Sequence, residues 1–314
     1  MNCLVTGASG FVGSHLCERL IERNCSVVGI DSFEDFYPRW IKEKNISALM
    51  KEERFELIPE DINSVDIDTL LEKSDCVFHL AAQAGVRESW GDHFSVYAKN
   101  NIETTQRLLE SAKDHKITKF IYASSSSVYG MCPDLPMAET SSLYPLSPYG
   151  VTKLAAEHLC FLYFKNFGIP TVSLRFFTVY GPRQRPDMAF HKFLKAIGED
   201  EKITVYGDGK QTRDFTYVGD VIDACLSAVD MGKSGEVYNI GGGSQESLEA
   251  IFPHLENICG KEFEIEWAQR QKGDVLHTFA KIEKAKKDLD YSPKTRIEYG
   301  LQEEWKWLRN LYSF

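Results

Sequence analysis

Short apolar runs recur through the first 176 residues, and the stretches between them place their apolar residues three or four apart. The runs are NCLVTG from residue 2, SVVGID from 26, FELIPEDI from 55, CVFHLAA from 76, KFIYASS from 119 and TVSLRF from 171. Runs of this length bounded by turn formers predict buried strands, whereas HLCERLIER, TTQRLLESAKDH and a long segment beginning near 149 have the period of amphipathic helices. Strands that alternate with helices predict an α/β fold with a doubly wound parallel sheet of the Rossmann kind. Beyond about residue 176 the loops lengthen and isolated elements follow: KITVYGDG, RDFTYVGDVIDACLSAV, EVYNIGGG and the Trp-rich EEWKWLRNLY. This change predicts a smaller, discontinuous C-terminal substrate domain at about 177–212 and 243–314, laid on a cofactor-binding domain of 1–176 plus about 213–242. The helices near 96–115 and 149–166 are apolar enough to form either a helical homodimer interface or a buried layer within one domain, and both readings stay open.

Charge narrows the partners. The 46 acids outnumber the 36 bases, and a net charge of -10 excludes a general nucleic-acid binder while leaving room for small anions in local basic pockets. Eight cysteines are scattered without a CxxC pair or metal-ligand spacing, so no metal is expected and the thiols suit a reducing cytoplasm. The chain opens directly on a strand and a turn, and no apolar run reaches membrane-spanning length; a cytoplasmic protein without membrane contact is expected.

The chemistry begins at GASGFVG, where Gly7, Gly10 and Gly13, with Phe11 and Val12 between them, join the first strand to the first helix. Glycines let a backbone approach a pyrophosphate, and a helix amino terminus supplies donors and a positive dipole. Asp31 ends the next strand, where a carboxylate accepts hydrogen bonds from an adenosine ribose and repels a 2′-phosphate, so the cofactor is read as NAD. Arg39 and Lys42, further along, keep NADP open. Tyr149 and Lys153 in SPYGVTKLAAEHL share one helix face, and beside an oxidised nicotinamide an ammonium group favours a phenolate able to take a proton from an alcohol. In ASSSSVYG, serine hydroxyls emerge at the carboxyl end of a strand, placed to orient that alcohol. TVYGPRQRPDMAF carries Arg183 and Arg185 between Pro182 and Pro186, which predicts an irregular loop presenting guanidinium forks to a carboxylate or phosphate, or pairing with local acids.

Taken together, TGASGFVG, the DI at 61–62, HLAAQAGVR, SSSSVYG, YGVTK, LRFFTVYGPR and RDFTYVGD make the chain resemble the extended short-chain dehydrogenase/reductase family of nucleotide-sugar epimerases and dehydratases over essentially its whole length. The resemblance implies that Asp61 and Ile62 lie at the adenine, Leu80, Ala81, Ala82 and Asn100 near the dinucleotide, and Phe176 near the nicotinamide. It places the catalytic hydroxyl on Ser125, beside Tyr149 and Lys153, and gives Arg213 and Asp274 the diphosphate and the uridine ribose. Relatives that dehydrate carry an Asp-Glu pair after that hydroxyl, and decarboxylating ones usually keep the Glu; this chain has Ser126 and Ser127. RPDMA after VYGP is similar to the UDP-glucuronate 4-epimerases. On that resemblance the substrate is a UDP-hexuronate, its carboxylate held by Arg185 with Thr178 and Ser126 or Ser127, and Arg87 is a second anion contact or a structural ion pair. The alternatives are a UDP-glucose or UDP-N-acetylglucosamine 4-epimerase, a UDP-glucuronate decarboxylase and a non-catalytic NAD-sensing protein.

Overall fold

The computed structural model describes residues 1–314 and is organised around a seven-stranded sheet. The six apolar runs become β1 (Asn2–Thr6), β2 (Ser26–Ile30), β3 (Phe55–Ile58), β4 (Cys76–His79), β5 (Lys119–Ser125) and β6 (Thr171–Phe176). The seventh strand, Glu236–Ile240, comes from the second half of the chain and pairs with β6. From that edge the order is Glu236–Ile240, β6, β5, β4, β1, β2, β3, and every pair is parallel. The chain winds outward from β1 to β3 and then returns to β4 on the other side of β1. The reversal opens a crevice beyond the carboxyl ends of β1 and β4, where doubly wound sheets bind their ligands.

The sheet is covered on both faces, which is why its strands are apolar throughout rather than at alternate positions. Cys3, Val5 and Phe78 pack into a core with Leu16, Leu20, Val221 and Tyr238. Leu4 and Val77, their immediate neighbours in sequence, join Leu108, Phe120, Ala156 and Cys160 on the opposite face. A third apolar cluster, including Tyr180, Phe190, Leu194, Leu255, Trp305 and Leu308, is built only from residues beyond 178. Short ladders lie beside it: Thr178–Tyr180 runs parallel to Phe215–Tyr217, and Ile203–Tyr206 parallel to Ile265–Ala268.

Two helical segments border the crevice. Pro148–Phe167 starts at Ser147, whose hydroxyl accepts from the Gly150 amide at 3.1 Å, and Pro148 fits the first turn, where its missing N–H costs nothing. It ends at Gly168 in the left-handed conformation. The helix expected near 96–115 is interrupted: α-helical turns at Phe94–Tyr97 and Thr104–Ala112 flank a π-turn over Ala98–Glu103. A π-turn shifts side-chain facing within a helix, and here Asn100 borders the crevice while Asn101 is buried behind it.

Candidate active site

The crevice is a cavity of 610 Å³ running from the GASGFVG turn to the segments around Arg213 and Asp274. Of the candidate site residues singled out from the sequence, all but Arg39 and Arg183 border it. At one end Gly7 has φ +71°, and a β-carbon there would lie 2.9 Å from the Ala81 nitrogen. A β-carbon on Gly13 would come within 2.0 Å of the Gly7 carbonyl oxygen, so only glycine lets helix α1 (Phe11–Glu22) approach β1 this closely. Gly10 caps α1 without a side-chain hydrogen bond, leaving the first amides of the helix free to meet a phosphate. The geometry fits a dinucleotide pyrophosphate.

Asp31 follows β2 and is fixed in place: its carboxylate accepts from the Ser9 amide at 3.0 Å and the Phe33 amide at 2.9 Å. The Lys42 ammonium lies 3.6 Å from it, almost fully buried, and donates to the Glu34 carbonyl at 3.2 Å. Lys42 therefore braces the acid from within the chain. Arg39, the other base considered for a 2′-phosphate, is paired with Glu43 on the surface. At the far rim of this end, Asp61 accepts from Asn63 and Lys99; they hold its carboxyl below the usual range despite partial desolvation. The Ala81 amide donates to the Thr6 hydroxyl, which also meets His79 Nδ1, and this ties the loop after β4 to β1. Burial pushes His79 down to about 3, so it is a neutral structural imidazole.

Ser125 ends β5, and its hydroxyl accepts from the Ser127 amide at 3.1 Å, which turns the SSSS segment sharply across the sheet edge. A β-carbon on Gly150 would sit 2.6 Å from the Ser127 carbonyl oxygen, so the glycine inside YGVTK lets the helix Pro148–Phe167 lie against this turn. Tyr149 is half-buried, and desolvation raises its phenol; the Arg185 guanidinium is the first group opposing that rise, followed by the Ser125 hydroxyl. The sequence assigned that cationic role to Lys153. In the structure the Lys153 ammonium lies 4.6 Å above the ring of Tyr122, and burial lowers it to about 7. Arg185 therefore adds a second cationic group, from another segment, to the surroundings of Tyr149.

Arg185, Thr178, Ser126 and Ser127 also border the cavity. The Arg185 Nε and Nη2 donate to the two oxygens of Asp187, both at 2.9 Å. Arg183, by contrast, does not border the cavity: it adopts φ +67° and donates to Glu18 of α1 at 2.7 Å, bracing the loop against the cofactor helix. At the opposite end Arg213 is held by the Thr212 and Leu276 carbonyls. Burial weakens its proton affinity, Asp274 restores some of it, and Arg270 and Arg87 oppose it. Arg87 is ion-paired with Asp274 at 2.8 Å and stacks 4.3 Å from the centre of Tyr206. Three arginines facing one aspartate leave an excess of positive charge for an anion.

These features coincide with a family. A model of the NAD dependent epimerase/dehydratase family matches residues 3–241. The chain belongs to that family. It is 48% identical over 317 residues to the uncharacterized UDP-glucose epimerase YtcB of Bacillus subtilis, covering 100% of this chain and 99% of the relative. A UDP-glucuronate 4-epimerase of Thermodesulfobacterium geofontis is 39% identical over 310 residues, covering 97% and 95%. The crystal structure of UDP-glucuronic acid 4-epimerase from Bacillus cereus, in complex with UDP-glucuronic acid and NAD, superimposes with a TM-score of 0.97 at 48% identity, covering 99% of this chain and 100% of the other.

Several residues of this epimerase/dehydratase fold escaped the sequence reading. Glu157, on the catalytic helix, is buried and accepts from Ser124 at 2.6 Å and from Arg175 at 3.0 and 2.5 Å. Arg175 also donates to the Tyr129 hydroxyl at 2.8 Å, which donates to Asn239 at 2.6 Å. This chain of bonds locks the helix that carries Tyr149 and Lys153 to β5, β6 and the edge strand. The signal was present in LRFF and in a charged residue on the sheet side of an apolar helix. Asp214 is similar: burial raises it to about 6, and it accepts from the Gly242 amide at 2.5 Å and the Ala280 amide at 3.0 Å, joining distant loops.

Proposed function

We propose that the protein is an NAD-dependent 4-epimerase interconverting UDP-glucuronate and UDP-galacturonate. The observation that carries this reading is Arg185, whose guanidinium lies beside Tyr149 in the sugar end of the cavity, where Ser126 and Ser127 replace the acids that other chemistry at the sugar would use. NAD, when bound, supplies the acceptor and later the donor of a hydride. Gly7, Gly10, Phe11, Val12 and Gly13 would hold its pyrophosphate, Asp31 its adenosine ribose, Asp61 and Ile62 its adenine, with Leu80, Ala81, Ala82, Asn100 and Phe176 along its length. Lys153 would meet the nicotinamide ribose, where hydroxyl acceptors favour its ammonium form.

Tyr149, as phenolate, takes the proton from the sugar 4-hydroxyl while Ser125 orients that oxygen. The same phenol returns the proton after the 4-keto sugar has turned over, so no second acid is needed. Arg213 and Arg87 hold the diphosphate and Asp274 the uridine ribose while the sugar turns. The oxidised sugar acid is a β-keto acid, which loses carbon dioxide when its carboxylate aligns with the carbonyl and is poorly solvated. Arg185 and Thr178 stabilise the charged carboxylate and hold it away from that alignment.

The reading extends to a homodimer formed through the helix Pro148–Phe167, whose Val151, Phe161 and Leu162 are about half exposed, to a reducing cytoplasm suited to eight free thiols, and to a substrate domain built around the apolar cluster beyond residue 178. The test is to incubate the purified protein with UDP-glucuronate, UDP-glucose or UDP-N-acetylglucosamine and to resolve the epimers. UDP-galacturonate should form fastest; epimers of the neutral sugars alone would overturn the reading.

A further inference from the structure

The segment Arg185-Pro186-Asp187-Met188 is a closed turn: the Met188 amide donates to the Arg185 carbonyl at 3.0 Å, and Met188 then caps the helix Ala189–Gly198. Pro186 occupies the second position of the turn, where its fixed φ is already suitable. The turn brings Asp187 back onto Arg185, and the carboxylate takes the Nε–Nη2 edge of the guanidinium with two bonds of 2.9 Å. Both side chains are mostly buried and both border the cavity. Nη1 has no hydrogen-bond partner in the chain, so one edge of the fork is committed and the other is free.

We propose that Asp187 is a positioning residue that grips Arg185 along one edge, turns the other toward the sugar carboxylate, and offsets the guanidinium's charge on Tyr149. This rests on the reading of Arg185 as the carboxylate partner. An unpaired arginine could swing among the hydroxyls of a neutral sugar, whereas a doubly bonded one offers a fixed direction that a planar carboxylate matches.

The electrostatic half follows from what surrounds the phenol. Tyr149 faces Ser125 and Tyr122 from β5, Tyr97 edge-on at 6.3 Å from the interrupted helix, Arg185 and Asp187 from the turn, and Lys153 along its own helix. Glu88 acts on Tyr97. Of the charged groups on the turn, Arg185 favours the phenolate and Asp187 opposes it. Removing the negative charge alone must therefore make Tyr149 more acidic.

The experiment compares the wild-type NAD holoenzyme with Asp187→Asn, which keeps the size and one acceptor oxygen, and Asp187→Glu, which keeps the charge. The measurement is kcat/KM against pH for UDP-glucuronate and UDP-glucose. Because the phenolate is the working form, activity rises with pH through the Tyr149 titration. In Asp187→Asn that acid limb should move to lower pH by about one unit on whichever sugar is turned over, and the preference for UDP-glucuronate over UDP-glucose should fall about tenfold. Asp187→Glu should keep the limb at its wild-type position. A limb that stays or rises in Asp187→Asn, or a uronate preference that increases because Asp187 merely competes for Arg185, overturns the proposal. If the wild-type enzyme ignores UDP-glucuronate, the substrate reading fails by itself, and the limb measured on UDP-glucose still decides the role of Asp187.

Discussion

Lys153→Met should make the cofactor-free chain more stable while removing most of its activity. The Lys153 side chain is 3% exposed, its ammonium rests over an aromatic ring, and burial lowers it from 10.5 to about 7. A fall of that size corresponds to on the order of 4–5 kcal/mol of disfavoured charge at 1.36 kcal/mol per unit. Relaxation and water entry reduce it, so about 2–3 kcal/mol is expected from placing an apolar side chain of similar length there. That corresponds to a rise in Tm of roughly 5 °C for a chain of this size. The pH dependence fixes the cause. Below pH about 7 both folded and unfolded chains carry the proton, and the wild type bears the whole penalty. As pH rises from there toward 10.5, the folded state sheds its proton while the unfolded chain keeps it, so wild-type stability increases and the gap to the variant closes. Thermal melts of NAD-free protein at about pH 6 and about pH 9 read this directly. A variant less stable than the wild type, or a gap equal at both pH values, would refute the claim that Lys153 is a desolvated charge kept for function.

Tyr149→Phe should cut epimer formation about a hundredfold to ten-thousandfold, with NAD retained, since the ring stays and only the proton carrier is lost. Arg185→Ala should lower kcat/KM for UDP-glucuronate about thirtyfold relative to UDP-glucose, or about 2 kcal/mol, and release UDP-4-keto-pentose detectable by mass spectrometry. Gly13→Ala should abolish NAD retention, measured by absorbance of the purified protein, because its new carbon would lie 2.0 Å from the Gly7 carbonyl oxygen. Glu157→Gln strands the buried Arg175 charge and should lower stability by about 3–5 kcal/mol in chemical unfolding.

What the sequence made legible were features governed by short-range rules. The GxxGxxG spacing, the acid after β2 and the Tyr-Lys spacing each constrain residues a few positions apart, and the apolar runs announced six of the seven sheet strands. The π-turn at Ala98–Glu103 was not legible, because an amphipathic pattern does not reveal one inserted residue per turn. Nor were partners far apart in sequence: Glu157 meets Arg175, and Asp214 meets Gly242 and Ala280, only after the sheet is assembled. Asp187 was two residues from Arg185 and still missed. Its meaning depends on the turn that folds it back. Arg185 as a second cation near Tyr149 was missed for a related reason, since helix spacing reveals Lys153 but not a guanidinium brought in from another segment.

The network from Glu157 to Asn239 and the turn at Arg185–Met188 have separate anchors, one in the sheet and the other in a backbone bond closed on itself. Inheritance can therefore edit them independently. A lineage that rewrites those four codons changes both charges acting on Tyr149 while the buried frame passes down unaltered, so a new sugar preference would arrive together with a new pH dependence.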